Sequence, residues 1–301
     1  MSQPEPIAWI ADPEVAVAGD PTLPTGHWGH PEQLTLPLSD RGLLLADGLF
    51  ETVLVEGGRP RLLAEHLQRW RQSAALLAMA PPPGAGALGP RIAEAVERSG
   101  IRQGALRLNW SRGSGGRGLD LPAADAPRPP HRFWLQLSAC QPVFTAVTTI
   151  ISRHERRNAH SLVSRCKSFA YGGQIQARRE ARAAGVDEAL LLSSGGELCC
   201  GSAANLLVRR SGRWLTPPLN SGCLPGVMRQ QALRTALAEE ASLRSEQLLS
   251  SEGALLINSL GCRPLSHCDG LRLPALEPAA AAELWRNLLH REPAAKPSRT
   301  D

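Results

Sequence analysis

The chain has 301 residues, of which 43% are hydrophobic and 20% are charged, a composition typical of a soluble globular protein with one or two domains. The net charge is +5, yet no basic run alternates with aromatic residues, so we expect an anionic small molecule rather than nucleic acid as the partner. The seven cysteines have no metal-type spacing, and the sequence shows neither a signal peptide nor an apolar stretch of about 18 residues. We therefore expect a cytoplasmic protein with reduced thiols, no bound metal and no membrane contact.

The first 139 residues are expected to form a small α/β domain. In chain order, the pattern predicts strands over 34–38 and 50–54, a hairpin turn at 56–59, helices over 63–79 and 90–98, and strands over 106–110 and 133–139. The apolar residues of the helix over 63–79 recur at steps of three and four, so one face packs on the core. Arg69 lies beside that face, where an arginine is most often a solvated charge.

A linker at 140–146 is expected to lead into a larger domain over 147–291. In chain order, the pattern predicts a strand over 146–152, a helix over 171–184, meander strands over 188–193, 197–200 and 205–210, a helix over 225–240, a strand over 254–260 and a helix over 279–290. The tail at 292–301 is expected to be disordered.

Lysine is almost absent from the chain. Only Lys167 and Lys296 occur among the 33 basic residues. Arginine cannot lose its proton in a protein, whereas lysine can become the neutral amine that Schiff-base chemistry requires. Lys167 is therefore the candidate catalytic residue; the alternative is that two lysines remain by chance in an arginine-rich chain. Tyr171, the one tyrosine, follows by four residues and would lie on the same side of a helix.

Two loops contain further candidate binding residues. Residues 113–118 match the pattern G-x-G-x-x-G after a strand, but the residues that follow cannot open the helix that a dinucleotide site requires. This loop is either a surface loop or a lid whose Arg112 and Arg117 bind a carboxylate. Residues 224–229 place backbone N–H groups at a helix start, which is either an anion site or an ordinary junction between loop and helix.

A series of motifs runs along residues 34–264, in this order: 40–51, 66–69, Lys167, 185–190, 204–206, 216–219 and 224–229. Together they resemble the enzymes of fold type IV that depend on pyridoxal phosphate (PLP), the class IV aminotransferase family. The resemblance implies an α/β (α+β) fold with a smaller N-terminal α/β domain. It also implies a larger C-terminal domain with a barrel-like β-meander sheet flanked by helices, PLP between the domains, and a homodimer.

Two stretches, 111–118 and 258–260, are more similar to the 4-amino-4-deoxychorismate lyases of this family than to its aminotransferases. This resemblance implies conversion of 4-amino-4-deoxychorismate to 4-aminobenzoate and pyruvate, a step of folate biosynthesis, through proton abstraction by lysine and β-elimination. Two alternatives remain open. One is a class IV aminotransferase that acts on a branched-chain or D-amino acid, and the other is a PLP-binding protein with weak catalysis.

The resemblance also implies roles for individual residues. Lys167 would hold PLP covalently and transfer protons. The implied cofactor-binding residues are Arg69, Tyr171, Cys200, Leu224, Val227, Met228 and Ser259. Among them, Arg69, the amides at 227 and 228 and the Ser259 hydroxyl would bind the phosphate, Leu224 would pack on the ring face and Tyr171 would contact the phenolic oxygen. The implied substrate-binding residues are Arg107, Arg112, Arg117 and Asn258.

Cys200 departs from the family pattern. The family usually has a glutamate at this position, five residues before Asn205, where the carboxylate holds the protonated ring nitrogen of the cofactor. A thiol cannot hold that charge as a carboxylate does. Glu197 lies three residues upstream, and an odd shift along a strand points to the opposite face unless a bulge intervenes. We hypothesise that Cys200 favours lyase over aminotransferase activity.

Overall fold

The computed structural model describes residues 4–12, 25–115, 118–121 and 131–291. The chain divides into two compact units, Met1–Pro142 with His160–Gly173, and Val143–Ala159 with Gln174–Asp301. The first boundary falls inside the expected linker. The segment at 160–173 also belongs to the first unit. The expected disordered tail lies outside the described residues.

The first unit contains a six-stranded antiparallel sheet. Its strands are β1 (Ile7–Ala11), β2 (Gly26–Gly29), β3 (Gly48–Glu56), β4 (Arg59–Pro60), β5 (Gln103–Ser111) and β6 (Arg132–Ala139), and its helices are α1 (Arg41–Leu45), α2 (Leu63–Leu76) and α3 (Ala85–Ser99). The strand order is β2-β1-β6-β5-β3-β4. The apolar stripe of α2 is buried in the core of this unit, where the ring of Trp70 packs against that of Phe133.

The second unit contains a sheet that closes on itself. Its strands are β7 (Val147–Arg157), β8 (Glu188–Ser193), β9 (Leu198–Gly201), β10 (Asn205–Arg210), β11 (Arg213–Thr216), β12 (Ala238–Glu240), β13 (Gly253–Asn258), β14 (Gly261–Cys268) and β15 (Leu271–Arg272). Its helices are α4 (Gly172–Ala183), which begins at the end of the first unit, α5 (Val227–Arg234), α6 (Ser245–Leu249) and α7 (Pro278–His290). The order is β12-β11-β10-β13-β14-β7-β8-β9, and β9 also pairs with β10. The implied barrel-like meander sheet with helices is therefore confirmed.

Most predicted elements are present, but the structure corrects two of them. Residues 34–38 form no strand, because Pro37 has no N–H group for a ladder and Leu38 is 82% exposed. The helix predicted over 225–240 ends at Arg234; Ala236 is left-handed at φ 54°, and 238–240 form β12. Strands β1 and β2 were not predicted, since β1 is a continuous apolar run without alternation.

Candidate functional site

The backbone of Lys167 is fixed against strand β3 in the first unit. The N–H of Phe50 donates to the carbonyl of Lys167 at 2.8 Å, and the N–H of Phe169 donates to the carbonyl of Gly48 at 2.9 Å. Residues 167–169 thus pair with β3 as a short extra strand. This pairing explains why the segment belongs to the first unit. It also fixes the backbone position from which the Lys167 side chain extends.

The amine of Lys167 lies among aromatic and polar groups. Its Nζ donates to the hydroxyl of Tyr171 at 3.0 Å and lies 4.3 Å from the ring centroid of Phe50. The guanidinium carbon of Arg107 lies 3.6 Å from the same centroid, and its Nε donates to Asn109 Oδ1 at 2.7 Å. Burial lowers the pKa of Arg107, and the Tyr171 hydroxyl partly opposes this shift. The first unit therefore brings an amine, a phenol and an arginine around one ring.

Arg69 is held by a buried carboxylate. Its Nε donates to Glu51 Oε1 at 2.8 Å, and its Nη2 donates to Oε2 of the same residue. The Nδ1 of His66 lies 2.7 Å from Glu51 Oε2. All three residues are buried, so Arg69 is not the solvated charge that its position in the helix most often indicates. Burial raises the pKa of Glu51, but Arg69 and His66 lower it to about 2, so the carboxylate is ionised.

In the second unit, helix α5 begins without a side-chain cap. Gly226 is the N-cap residue and makes no side-chain cap bond, and Val227 and Met228 supply the first amides. Asn205 Nδ2 donates to the carbonyl of Leu224 at 2.9 Å. A Cβ atom on Gly226 would lie 1.9 Å from Asn205 Oδ1. The loop and the helix start are therefore packed around Asn205.

Asn258 is the last residue of β13, and Ser259 lies in the turn that leads to β14. Asn258 Nδ2 donates to the carbonyl of Ala203 at 3.2 Å, and its Oδ1 accepts from the Leu260 N–H at 2.8 Å. Ser259 is partly buried in the same turn. The Asn258 side chain thus joins this turn to the one between β9 and β10.

Cys200 is buried at the junction of β9 and β10, where it pairs with Asn205. A β-bulge at Cys199 does intervene between Cys200 and Glu197, the condition under which Glu197 could replace the missing carboxylate. The carboxylate of Glu197 is nevertheless engaged elsewhere, because Ser193 Oγ donates to its Oε2 at 2.5 Å. The interaction with Cys200 raises the pKa of the neighbouring Cys199 thiol.

The Arg112 side chain donates to three groups of the protein. Its Nε donates to Asp47 Oδ2 at 2.9 Å, and its two Nη atoms donate to the carbonyls of Ala78 at 3.0 Å and Leu77 at 2.8 Å. Each of the three nitrogens thus has a partner within the protein, and the two carbonyl acceptors lie just beyond the end of α2. These contacts favour a structural role for Arg112, and its predicted substrate role stays a prediction. Arg117, the other predicted loop arginine, lies outside the described residues.

Sequence reasoning did not single out the partners of these residues. Glu51 and His66 both lie in the motifs that carried the resemblance, at 40–51 and 66–69, but neither was given a role. His66 precedes Arg69 by one helical turn, a spacing that could have indicated a shared partner. Glu51 is 18 residues from Arg69, and no local pattern places it there.

Each unit, taken by itself, offers groups that suit a part of PLP. The first unit has an amine that can react with the aldehyde and a buried arginine that can pair with a phosphate. The second unit has a helix start without a side-chain cap, a feature that binds anions. Within the described ranges, no cluster of His, Cys, Asp or Glu could hold a metal ion. Among those same residues, no helix is both long and apolar enough to cross a membrane.

Comparison with known proteins identifies the family. The profile of the family described as amino-transferase class IV matches residues 48–268. The chain is 29% identical over 214 residues to a putative branched-chain-amino-acid aminotransferase of Methanocaldococcus jannaschii, covering 69% of this chain and 72% of that protein. It is 28% identical over 263 residues to a bifunctional aminodeoxychorismate lyase / D-amino acid transaminase of Mycobacterium tuberculosis, covering 79% of this chain and 88% of that protein.

A solved structure shows the same fold. A hypothetical aminotransferase from Mycobacterium tuberculosis, in its PLP-bound form, has a TM-score of 0.76 and 25% sequence identity, covering 88% of this chain and 96% of that one. The profile match extends from β3 to the end of β14 and so includes elements of both units. The chain therefore belongs to the class IV aminotransferase family of PLP-dependent enzymes.

Proposed function

We propose that this protein is a lyase that converts 4-amino-4-deoxychorismate into 4-aminobenzoate and pyruvate. The observation that carries the proposal is the group around Phe50, where Arg107 lies on the ring that also contacts the Lys167 amine. A cation there suits a substrate that carries a carboxylate close to its amino group, as both 4-amino-4-deoxychorismate and an amino acid do. The stretches 111–118 and 258–260, which resemble the lyases, favour the first of these substrates. The bifunctional relative from Mycobacterium tuberculosis supports the lyase reaction, since its name includes it.

Lys167 and Tyr171 perform the proton transfer in this proposal. PLP, when bound, withdraws electrons from the carbon that bears the substrate amino group and so acidifies its proton. Lys167, as a neutral amine, would accept that proton. The Tyr171 hydroxyl, 3.0 Å from Nζ, holds the amine in place. Loss of pyruvate from the adjacent ring carbon then yields an aromatic ring, which favours the forward direction.

The other proposed roles follow the resemblance. For the phosphate we propose Arg69 in the first unit, and the Val227 and Met228 amides with Ser259 in the second. Leu224 covers the ring face and Cys200 lies at its nitrogen. For the substrate we propose Arg107, Arg117 and Asn258; Arg112 is left out because its nitrogens are already engaged. A cytoplasmic homodimer is part of the same proposal.

An aminotransferase that acts on a branched-chain or D-amino acid is the second candidate. Both relatives carry transaminase activities in their names, and this observation favours it. Its half-reaction would convert bound PLP to the pyridoxamine form with an amino acid alone, whereas the lyase reaction leaves the cofactor unchanged. A PLP-binding protein with weak catalysis would do neither at a useful rate.

The test is product formation from 4-amino-4-deoxychorismate by PLP-loaded protein. We expect 4-aminobenzoate and pyruvate in equal amounts, and neither from Lys167→Ala. The chain has only two lysines, so borohydride reduction followed by peptide mapping should place the cofactor on Lys167, with Lys296→Ala as the matched control. Absence of product from protein that holds PLP on Lys167, together with an amino-acid half-reaction, would replace the lyase by the aminotransferase.

A further inference from the structure

Strand β3 and helix α2 bury an arginine together with its counter-ion. Glu51 is 0% exposed and Arg69 is 4% exposed, and the carboxylate meets the guanidinium through both of its oxygens. We propose that Glu51 is a positioning residue, which fixes the plane of the Arg69 guanidinium and thereby the direction in which this plane meets the cofactor phosphate. The inference rests on the proposed function in one respect, the role of Arg69 in phosphate binding.

The geometry of the guanidinium makes the contact directional. An arginine has five N–H donors in one rigid plane, and Glu51 receives donors from Nε and from Nη2. Two contacts on one edge of a planar group define the plane, so the donors of the other edge acquire fixed directions. Arginine binds phosphate as a fork, and the strength of that bond depends on alignment. An orientation fixed before binding also lowers the entropy that binding costs.

His66 holds the carboxylate in turn. Burial lowers the pKa of His66, which keeps the imidazole neutral at neutral pH, although its bond to Glu51 opposes the shift. An ionised carboxylate only accepts hydrogen bonds, so the neutral ring must carry its proton on Nδ1 and donate it across the 2.7 Å to Oε2. Glu51 is thus held from β3 by its backbone and from α2 by His66 and Arg69. These bonds restrict the rotation of each of the three side chains.

Glu51 also has an opposing effect. Its negative charge neutralises the Arg69 guanidinium and so weakens the attraction between Arg69 and the phosphate. We expect the orienting effect of Glu51 to exceed its neutralising effect. A buried guanidinium that loses this carboxylate should rotate toward other acceptors or water. The two effects make opposite predictions for Glu51→Asp. This substitution keeps the charge but withdraws the carboxylate by one methylene. If Glu51 acts only as a counter-ion, Glu51→Asp should leave the affinity for PLP unchanged. If Glu51 positions the guanidinium, Glu51→Asp should lower that affinity.

The experiment compares the affinities for PLP and for pyridoxal, which lacks the phosphate, by the absorbance of the bound cofactor. In Glu51→Gln and Glu51→Asp we expect PLP affinity to fall by about tenfold or more while pyridoxal affinity stays within about twofold of wild type. The ³¹P resonance of bound PLP should shift in both variants. An unchanged or higher PLP-to-pyridoxal ratio in Glu51→Asp would overturn the proposal and leave Glu51 as a counter-ion.

Two further variants separate the causes of failure. Glu188→Gln removes a second buried carboxylate that pairs with an arginine, Arg178 in the other unit, and should lower thermal stability without changing the ratio. Arg69→Gln tests the proposed function itself: if it leaves the ratio unchanged, Arg69 does not bind the phosphate, whatever Glu51 does. If Glu51→Gln does not fold, Glu51→Asp decides alone, because it retains the buried ion pair.

Discussion

By the resemblance, Cys200 would occupy the position at which the family usually has a carboxylate for the ring nitrogen of PLP. Its thiol lies beside Cys199 and pairs through the backbone with Asn205, and Glu197 is engaged with Ser193. A thiol holds a protonated ring nitrogen poorly, so the bound cofactor should withdraw electrons less strongly. Transamination depends on that withdrawal throughout, whereas formation of an aromatic ring supplies its own driving force. Cys200 should therefore favour the lyase.

Cys200→Glu should increase the amino-acid half-reaction by about tenfold, which corresponds to about 1.4 kcal/mol of barrier. The measurement is the rate at which the PLP absorbance is lost on addition of single amino acids, with lyase turnover followed in parallel. Cys200→Ser is the matched control, because a hydroxyl cannot hold the charge either and should leave the half-reaction slow. No increase in Cys200→Glu, with PLP bound and lyase turnover unchanged, would contradict the hypothesis.

Among the elements, helix α2 depends on Arg112 at its end. The residues that follow the helix, Leu77 and Ala78, present carbonyls to its two Nη atoms, and Asp47 accepts from Nε. Carbonyls at a helix C-terminus have no partner within the helix and attract cations. Arg112→Gln should therefore lower the free energy of unfolding by about 1–3 kcal/mol. The Michaelis constant for substrate should stay within about twofold of wild type.

Arg107→Gln is the matched control for that prediction. Its side chain lies on Phe50 beside the Lys167 amine, so its loss should raise the Michaelis constant with a smaller effect on unfolding. Urea unfolding gives the free energy of unfolding of each variant, and steady-state kinetics gives its Michaelis constant. If Arg112→Gln raises the Michaelis constant and leaves stability intact, the loop arginine binds substrate after all.

The start of helix α5 makes a second prediction at this scale. A Cβ atom on Gly226 would lie 1.9 Å from Asn205 Oδ1, so Gly226→Ala should displace the Asn205 side chain and break its bond to the Leu224 carbonyl. The expected cost is about 1–3 kcal/mol of stability, with weaker PLP binding. In an Asn205→Ala background the same change should cost much less, since the clash is gone.

A double-mutant cycle of Gly226→Ala and Asn205→Ala measures this coupling by thermal unfolding and PLP titration. Gly172→Ala is the control, because a Cβ atom there meets no atom within 4 Å. Additive effects of the two substitutions would show that the glycine is needed for some reason other than the asparagine.

The elements that the sequence predicted are those whose signal is local. Helix α2 follows from the steps of its apolar residues, and the β3–β4 hairpin follows from Gly57 and Gly58, whose φ angles of 61° and 79° are positive. Contacts between distant segments have no such signal. Three such contacts join residues at least 18 positions apart: the pairing of Lys167 with β3, the ion pair between Glu51 and Arg69, and the bonds from Arg112 to the end of α2. For the same reason, the motifs predicted the family better than they predicted the role of each arginine.

At the scale of the whole molecule, the expected homodimer requires a surface that a second copy can cover. The segment around α1 exposes Leu38 at 82%, Leu43 at 56% and Leu44 at 60%, although leucine is normally buried. Apolar side chains grouped in this way on a surface mark an interaction site. We therefore predict that this segment of the first unit contributes to the dimer interface.

Leu44→Glu should convert the dimer to a monomer at micromolar concentration, since a carboxylate would be buried without a partner. The residue is already exposed, so the fold of the chain should be unaffected, and circular dichroism checks this. Leu271→Glu is the matched control, because Leu271 is 55% exposed in β15, away from α1 in sequence and in the other unit. Light scattering after gel filtration gives the mass of each variant. A Leu44→Glu protein that remains dimeric would place the interface elsewhere, and a monomeric wild type would remove the expected homodimer altogether.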